Sequence, residues 1–339
     1  MTTKRIDFLE GVRGIAALMV VLQHLLADEF PGFRSWTHQH VDLGRVGVVA
    51  FFLVSGYVIP LSLAGQSLRT FALRRFFRLF PVYWVALAAY VTLELATVRH
   101  PVGGPGMVLN VLMVQGMVGV VSVLPPAWTL SIELIFYLQS AAAKAGHRLD
   151  AAVHAGWVWL ALYLLLDLGE RVTGRDLPTT LPMLLFVAAL GHALHLRDRS
   201  GSRVWLALLG AGILVVPAGA YLGVDGGGEW PPLTYSLSFL VGLAFFLTCY
   251  ALRRRTVARP LVFLGAISYA VYLFHPTVIE LLGRVAFGSG PVFIAVALLA
   301  TVLVAWVTHR WLEQPSINLG RRLTTGRPAP EPVSDRTAS

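Results

Sequence analysis

Charge is scarce in this sequence. Only 13% of its 339 residues are Asp, Glu, Lys or Arg, about half the share that ordinary soluble domains carry. A chain with so few charges cannot coat a water-facing surface. Acidic residues are the rarer sign, 18 against 27 Lys and Arg. Cysteine is nearly absent. A lone Cys249 excludes an internal disulfide framework and a cysteine-built metal site. Polar stretches are short as well, and no connection between apolar runs is long enough to hold a soluble domain. Several catalytic signatures are missing: a phosphate loop of the Gly-x-x-x-x-Gly-Lys-Ser/Thr type, a His-Glu-x-x-His zinc motif and a Gly-x-Ser-x-Gly elbow. His38 and His40 have no carboxylate or thiol cluster around them, so no metal is expected. No internal repeat is visible, which removes the usual support for a two-fold symmetric transporter.

What is present is apolar surface. Hydrophobic residues make up 56% of the chain and the mean hydropathy is +0.69. This predicts an all-α polytopic membrane bundle, because only helices or closed barrels satisfy their backbone in lipid. A span needs about 20 apolar residues. About ten transmembrane helices are expected, near 11–27, 46–64, 79–97, 127–143, 152–168, 178–195, 204–222, 233–251, 262–282 and 290–312. An apolar Gly/Val/Met-rich segment, 106–123, either crosses as well or enters and returns.

Basic residues arbitrate between those two options. If 106–123 does not cross and the N-terminus is cytoplasmic, 21 of the 27 Lys and Arg face inward, as the positive-inside rule requires. If it crosses, the Arg253-Arg254-Arg255 run faces outward. Ten spans with both ends cytoplasmic, in the cell membrane, are therefore expected. The first apolar stretch lacks a small-x-small cleavage site and reads as a retained span. Residues 1–318 read as one membrane domain, and the Pro/Arg/Ser-rich 319–339 as a disordered cytoplasmic tail. Basic residues spread over inner loops exclude nucleic acid as a partner.

Ionisable side chains inside spans are costly and mark function by default. The plain alternative for each is a packed polar residue bonded to a neighbouring helix. Arg13 and His24 lie eleven residues apart in the first span. That spacing puts them on one face, about 16.5 Å apart along the axis. Arg74, Arg75 and Arg78 cluster at the start of the third span, where forked guanidinium donors suit phosphate. Glu133 is the carboxylate deepest in a span. Counted from the helix start, it is level with His24, so the two are candidates for an acid/base pair. Trp128 and Tyr137, on the same helix, are candidates for stacking on an acceptor ring. His275 precedes Pro276, which frees a carbonyl nearby. Glu313 is expected to pair with a neighbouring Arg, and the glycines of the second span to permit close helix packing.

The order of these elements resembles the acyltransferase-3 family of membrane-bound O-acyltransferases. The similarity runs from Arg5-Ile6-Asp7-Phe8-Leu9-Glu10-Gly11-Val12-Arg13-Gly14 to Glu313-Gln314-Pro315. Its most specific parts are Arg13-x10-His24, Arg75-x-x-Arg78, Pro126-x-Trp128-x-Leu130-Ser131-x-Glu133 and Ser268-Tyr269…His275-Pro276. The resemblance implies acyl transfer, commonly of acetyl, from cytoplasmic acyl-CoA. Hydroxyls of carbohydrates, glycan precursors or natural products such as macrolides are the implied acceptors. It matches His24 to the catalytic histidine, Arg13, Arg75 and Arg78 to donor handling, and Glu133 to a motif acid. Two departures stand out: Leu134 replaces a second acid after Glu133, and no fused esterase-like domain is present. No permanently bound cofactor is implied. The non-enzyme alternative is a secondary transporter or exporter using His24 and Glu133 as a proton relay.

Overall fold

A computed structural model describes residues 3–95, 104–223, 231–285 and 289–325. Helices dominate, and no strand occurs among the described residues. In chain order they are α1 (Thr3–Glu29), α2 (Pro31–Gln39), α3 (Leu43–Ala64), α4 (Leu68–Leu95), α5 (Gly104–Val111), α6 (Ala127–Ala145) and α7 (Ala155–Thr173). Then follow α8 (Thr180–Ser200), α9 (Val204–Leu222), α10 (Pro232–Ala251), α11 (Arg259–Arg284), α12 (Gly290–Thr308) and α13 (Gln314–Thr324). Nine helical segments among the described residues are long and apolar enough to cross a membrane. The tenth expected crossing is α6, a 19-residue helix enriched in polar groups where the others are apolar. The protein is a polytopic helical membrane protein.

The segment 106–123 does not form a spanning helix. Its helical part, α5, has 8 residues, about 12 Å of rise. The chain then reverses at Met113, whose φ of +62° is left-handed and uncommon for a residue with a Cβ. Asn110 closes the reversal. Its Nδ2 donates to the carbonyls of Gly106 and Val121, and its Oδ1 accepts from the Val123 N–H. The segment therefore folds back on itself, as the charge count favours.

Three helix pairs carry the packing. α1 lies against α11 and α3, and α3 lies against α8. The α1–α11 and α3–α8 contacts are backbone against backbone. A Cβ placed on Gly265 would lie 2.0 Å from the Glu10 carbonyl oxygen, and one on Gly56 would lie 1.9 Å from that of Ala188. The expected close packing of the second span is thus realised, as small residues in membrane helices allow. α8 is buried on every face from Pro182 to Leu196, which makes it the central post of the bundle. α9 and α12 sit at the rim, where Leu214, Leu299 and Leu303 are exposed. In a bilayer these meet lipid at no cost.

At the C-terminal end, a π-helical turn over His309–Glu313 leads into α13. Glu313 is buried there and pairs with His309 Nδ1 at 2.8 Å, not with an arginine as expected. The four-residue spacing puts the imidazole nearest. Helix α13 carries ordered structure to Thr324, into the 319–339 segment read as tail; residues 326–339 lie outside the described residues.

Candidate active site: two chambers that share a wall

Two cavities occupy the interior between α1, α3, α6 and α11. The first, about 540 Å³, is lined by Arg13, Arg75, Arg78, Arg321, Glu10, Ser55, Glu133 and Tyr137. The second, about 760 Å³, is lined by His24, His275, Trp128, Asp42, Arg45 and Tyr235. Val48 of α3 and Tyr272 of α11 line both. The wall between the chambers is therefore one side chain deep at that level.

Helix α1 presents Arg13 to one chamber and His24 to the other, so the face they share lines two chambers and not one continuous groove. In the arginine chamber, Arg13 pairs with Glu10 at 3.3 Å. Arg75 donates to Ser62 Oγ at 3.2 Å, and its guanidinium lies over the rings of Phe71 and Tyr137 at 5.3 and 5.4 Å. That stacking holds a planar fork without neutralising it. Arg78 has no ion pair or side-chain hydrogen bond among the described residues. Arg74 turns away, donating to Gln66 and to Thr324.

His24 and His275 meet in the other chamber, with ring centroids 5.0 Å apart. His24 Nδ1 is 2.8 Å from the Val20 carbonyl. A carbonyl only accepts, so that nitrogen carries the proton and Nε2 is left as an acceptor. His275 repeats the device with a different partner. Pro276 has no N–H, so the Tyr272 carbonyl four residues earlier loses its helical donor. His275 Nδ1 takes its place at 2.9 Å. Its ring is buried, and its Nε2 has no partner among the described residues.

Glu133 does not join His24. Its Oε1 accepts from Ser55 Oγ at 2.8 Å and from the Tyr137 hydroxyl at 2.6 Å, both in the arginine chamber. The depth count assumed that α6 starts at the membrane surface. The folded-back 106–123 segment instead packs on the first turns of α6, with Gln115 donating to the Ala127 carbonyl and the Gly116 N–H to Ser131 Oγ, and α6 starts at the wall. There the Tyr272 hydroxyl bonds Thr129 Oγ1 at 2.8 Å and the Pro126 carbonyl at 3.3 Å. One turn further, Glu133 is already past the wall. Tyr137 follows it into the arginine chamber, so it does not stand beside Trp128 as an acceptor platform. Trp128 lines the histidine chamber.

Asp28, Asp42, Asp176 and Glu280 share the chamber with His24, none of them named by sequence reasoning, and Asp42 is the one built into a helix start. It caps α3, accepting from the Arg45 N–H at 2.6 Å, and its own N–H donates to Ser238 Oγ. Burial pushes the Asp42 carboxyl above its ordinary range, while the Arg45 N–H bond and the nearby Arg45 and His24 charges oppose this. The available signal was an Asp directly before an apolar run, a helix-start pattern. Gln23 secures the same entry, donating to Thr37 Oγ1 and accepting from the Leu43 N–H.

The bundle gathers Arg13, Arg75 and Arg78 in one chamber and His24 and His275 in the next, and the comparisons give its class. The acyltransferase-3 family model, described as an acyltransferase domain, matches residues 6–310. The chain belongs to this family and is an acyltransferase. It is similar to the acyltransferase MdmB of Streptomyces mycarofaciens, 28% identical over 98% of this chain and 96% of that protein. The exopolysaccharide production protein ExoZ of Rhizobium meliloti is 27% identical, over 86% of this chain and 95% of its own. The O-acetyltransferase OatA of Staphylococcus aureus is 21% identical over 91% of this chain, which spans 56% of the OatA length. No solved structure matches the chain. The transporter reading gives way to an enzyme.

Proposed function

We propose that the protein transfers an acyl group, acetyl first among candidates, from acyl-CoA to a carbohydrate hydroxyl. One observation carries this reading: an arginine chamber and a histidine chamber meet at a wall only Val48 and Tyr272 deep. Arg13, Arg75 and Arg78 hold the donor phosphates, since guanidinium forks bind them bidentately. The arginine end is cytoplasmic, where acyl-CoA is made, and the enzyme sits in the cell membrane with both termini inside. Residues 1–318 carry the transferase unit. The thioester reaches the wall, and the acceptor enters the histidine chamber from the opposite face.

His24 Nε2 then removes the proton of the acceptor hydroxyl while its oxygen attacks the thioester carbonyl. The carbon–sulfur bond breaks, and the thiolate leaving group takes up a proton to give free coenzyme A. His275, with its free Nε2 beside His24, and Trp128 contact the acceptor. Glu133 fixes Ser55 and Tyr137 beneath Arg75 and so acts on the donor side. The name of one relative, which refers to exopolysaccharide production, supports the acceptor class, and that of another, an O-acetyltransferase, supports acetyl transfer to oxygen.

Coenzyme A binding to the purified protein tests the donor assignment directly. Wild type is expected to bind. Arg75→Ala and Arg78→Ala are each expected to weaken binding about tenfold or more, the scale of a charged hydrogen bond. Unchanged affinity in both variants would remove the phosphate role. Labelled acetyl-CoA with native extracts then identifies the acceptor by its label.

A further inference from the structure

One guanidinium of the arginine chamber comes from outside the stretch that the family model matches. That match ends at residue 310, while Arg321 lies on α13 and lines the chamber beside Arg13, Arg75 and Arg78. Its placement is built in. Gly320 is buried against Phe77 of α4, where an added Cβ would lie 2.9 Å from the Phe77 Cβ. One turn on, Thr324 Oγ1 accepts from Arg74 Nε at 2.9 Å. The π-helical turn before α13 is locked by the buried Glu313–His309 pair. Arg321 itself is exposed at the rim and makes no ion pair or side-chain hydrogen bond among the described residues. The adjacent Arg322 does not line the chamber.

Four guanidinium groups therefore face two carboxylates there, Glu10 and Glu133, and Glu10 is already paired with Arg13. The excess suits a ligand with several anionic groups, and it extends from the half-buried Arg75 out to the rim. Resting on the donor reading above, we propose that Arg321 is a phosphate-binding residue. It closes the rim over the nucleotide end of the donor, so that α13 is part of the binding site and not a trailing anchor. An anionic lipid headgroup offers the same phosphate chemistry at this position, and the test separates the two sources.

The full chain in zwitterionic nanodiscs is titrated with coenzyme A and with 4′-phosphopantetheine, which lacks the nucleotide. Arg321→Gln is expected to weaken coenzyme A binding about tenfold or more and to leave phosphopantetheine binding unchanged. Arg321→Lys is expected to keep part of the affinity, and Arg322→Gln all of it. Equal affinity of Arg321→Gln and wild type overturns the proposal. So does an equal loss for both ligands, which marks a structural effect, or a loss seen only in nanodiscs containing anionic lipid, which assigns Arg321 to a headgroup. If Arg75→Ala abolishes binding while Arg321→Gln does not, this inference falls and the donor reading stands. If wild type fails to bind coenzyme A, both fall.

Discussion

The tautomer of His24 is set by its own helix. The Val20 carbonyl already has a backbone donor within α1, and its second lone pair holds the imidazole Nδ1–H at 2.8 Å. An imidazole fixed in this way keeps Nε2 as its acceptor nitrogen. His24→Ala is expected to lower acyl transfer by about 10²–10⁴-fold, the usual contribution of a positioned base. Coenzyme A affinity should stay at the wild-type value, because the donor phosphates are held elsewhere. Assaying both quantities on one preparation checks this, and retained transfer would remove His24 from the chemistry. The Arg13–His24 relation was legible in the sequence because both residues ride one helix, where spacing alone fixes face and separation. The proposed Glu133–His24 pair failed because their relation crosses helices. No residue count tells at what level α6 enters, and Ser55 and Tyr137 claim the Glu133 carboxylate.

Helix α11 shows how a missing donor becomes a positioning device. Pro276 leaves the Tyr272 carbonyl free, and His275 Nδ1 fills it at 2.9 Å. Restoring the N–H should undo this. Pro276→Ala is expected to keep the bundle folded, because α11 gains a helical hydrogen bond and loses a ring. Transfer should fall, because His275 loses the bond that aims it at His24, while coenzyme A affinity is kept. A thermal-melt comparison alongside the transfer assay separates the two effects. The freed carbonyl was readable from the sequence, but its replacement donor was not, since a side chain's choice of partner depends on tertiary packing. The same holds for the 106–123 fold-back. Charge counting pointed away from a crossing, yet the clasp by Asn110 on Gly106, Val121 and Val123 has no sequence signature.

Across the whole molecule, the two chambers open toward opposite ends of the bundle, so orientation decides which substrate meets which chamber. In the proposed orientation, which follows the positive-inside count, Arg254 lies on the cytoplasmic side. A cysteine introduced at position 254, in a Cys249→Ala background, is expected to resist a membrane-impermeant thiol reagent in intact cells and to react after permeabilisation. Labelling of intact cells would invert the scheme. Spans and the arginine cluster were legible because they depend on composition and helix period, which any membrane helix must obey. Arg321 was not, because it joins the chamber only through the way α13 folds back along α4.

The shared wall at Val48 and Tyr272 has a consequence for the cell that owns the enzyme. An energised membrane is an electrical insulator, and a water column through a protein would short-circuit it. Here the barrier is thinned to two side chains, one of them latched by Thr129 and Pro126. On the proposed placement of donor and acceptor, the bulky, charged carrier stays docked on its own side while a fragment of a few atoms moves past the latch. Such an enzyme would export reactivity across the bilayer without becoming a channel.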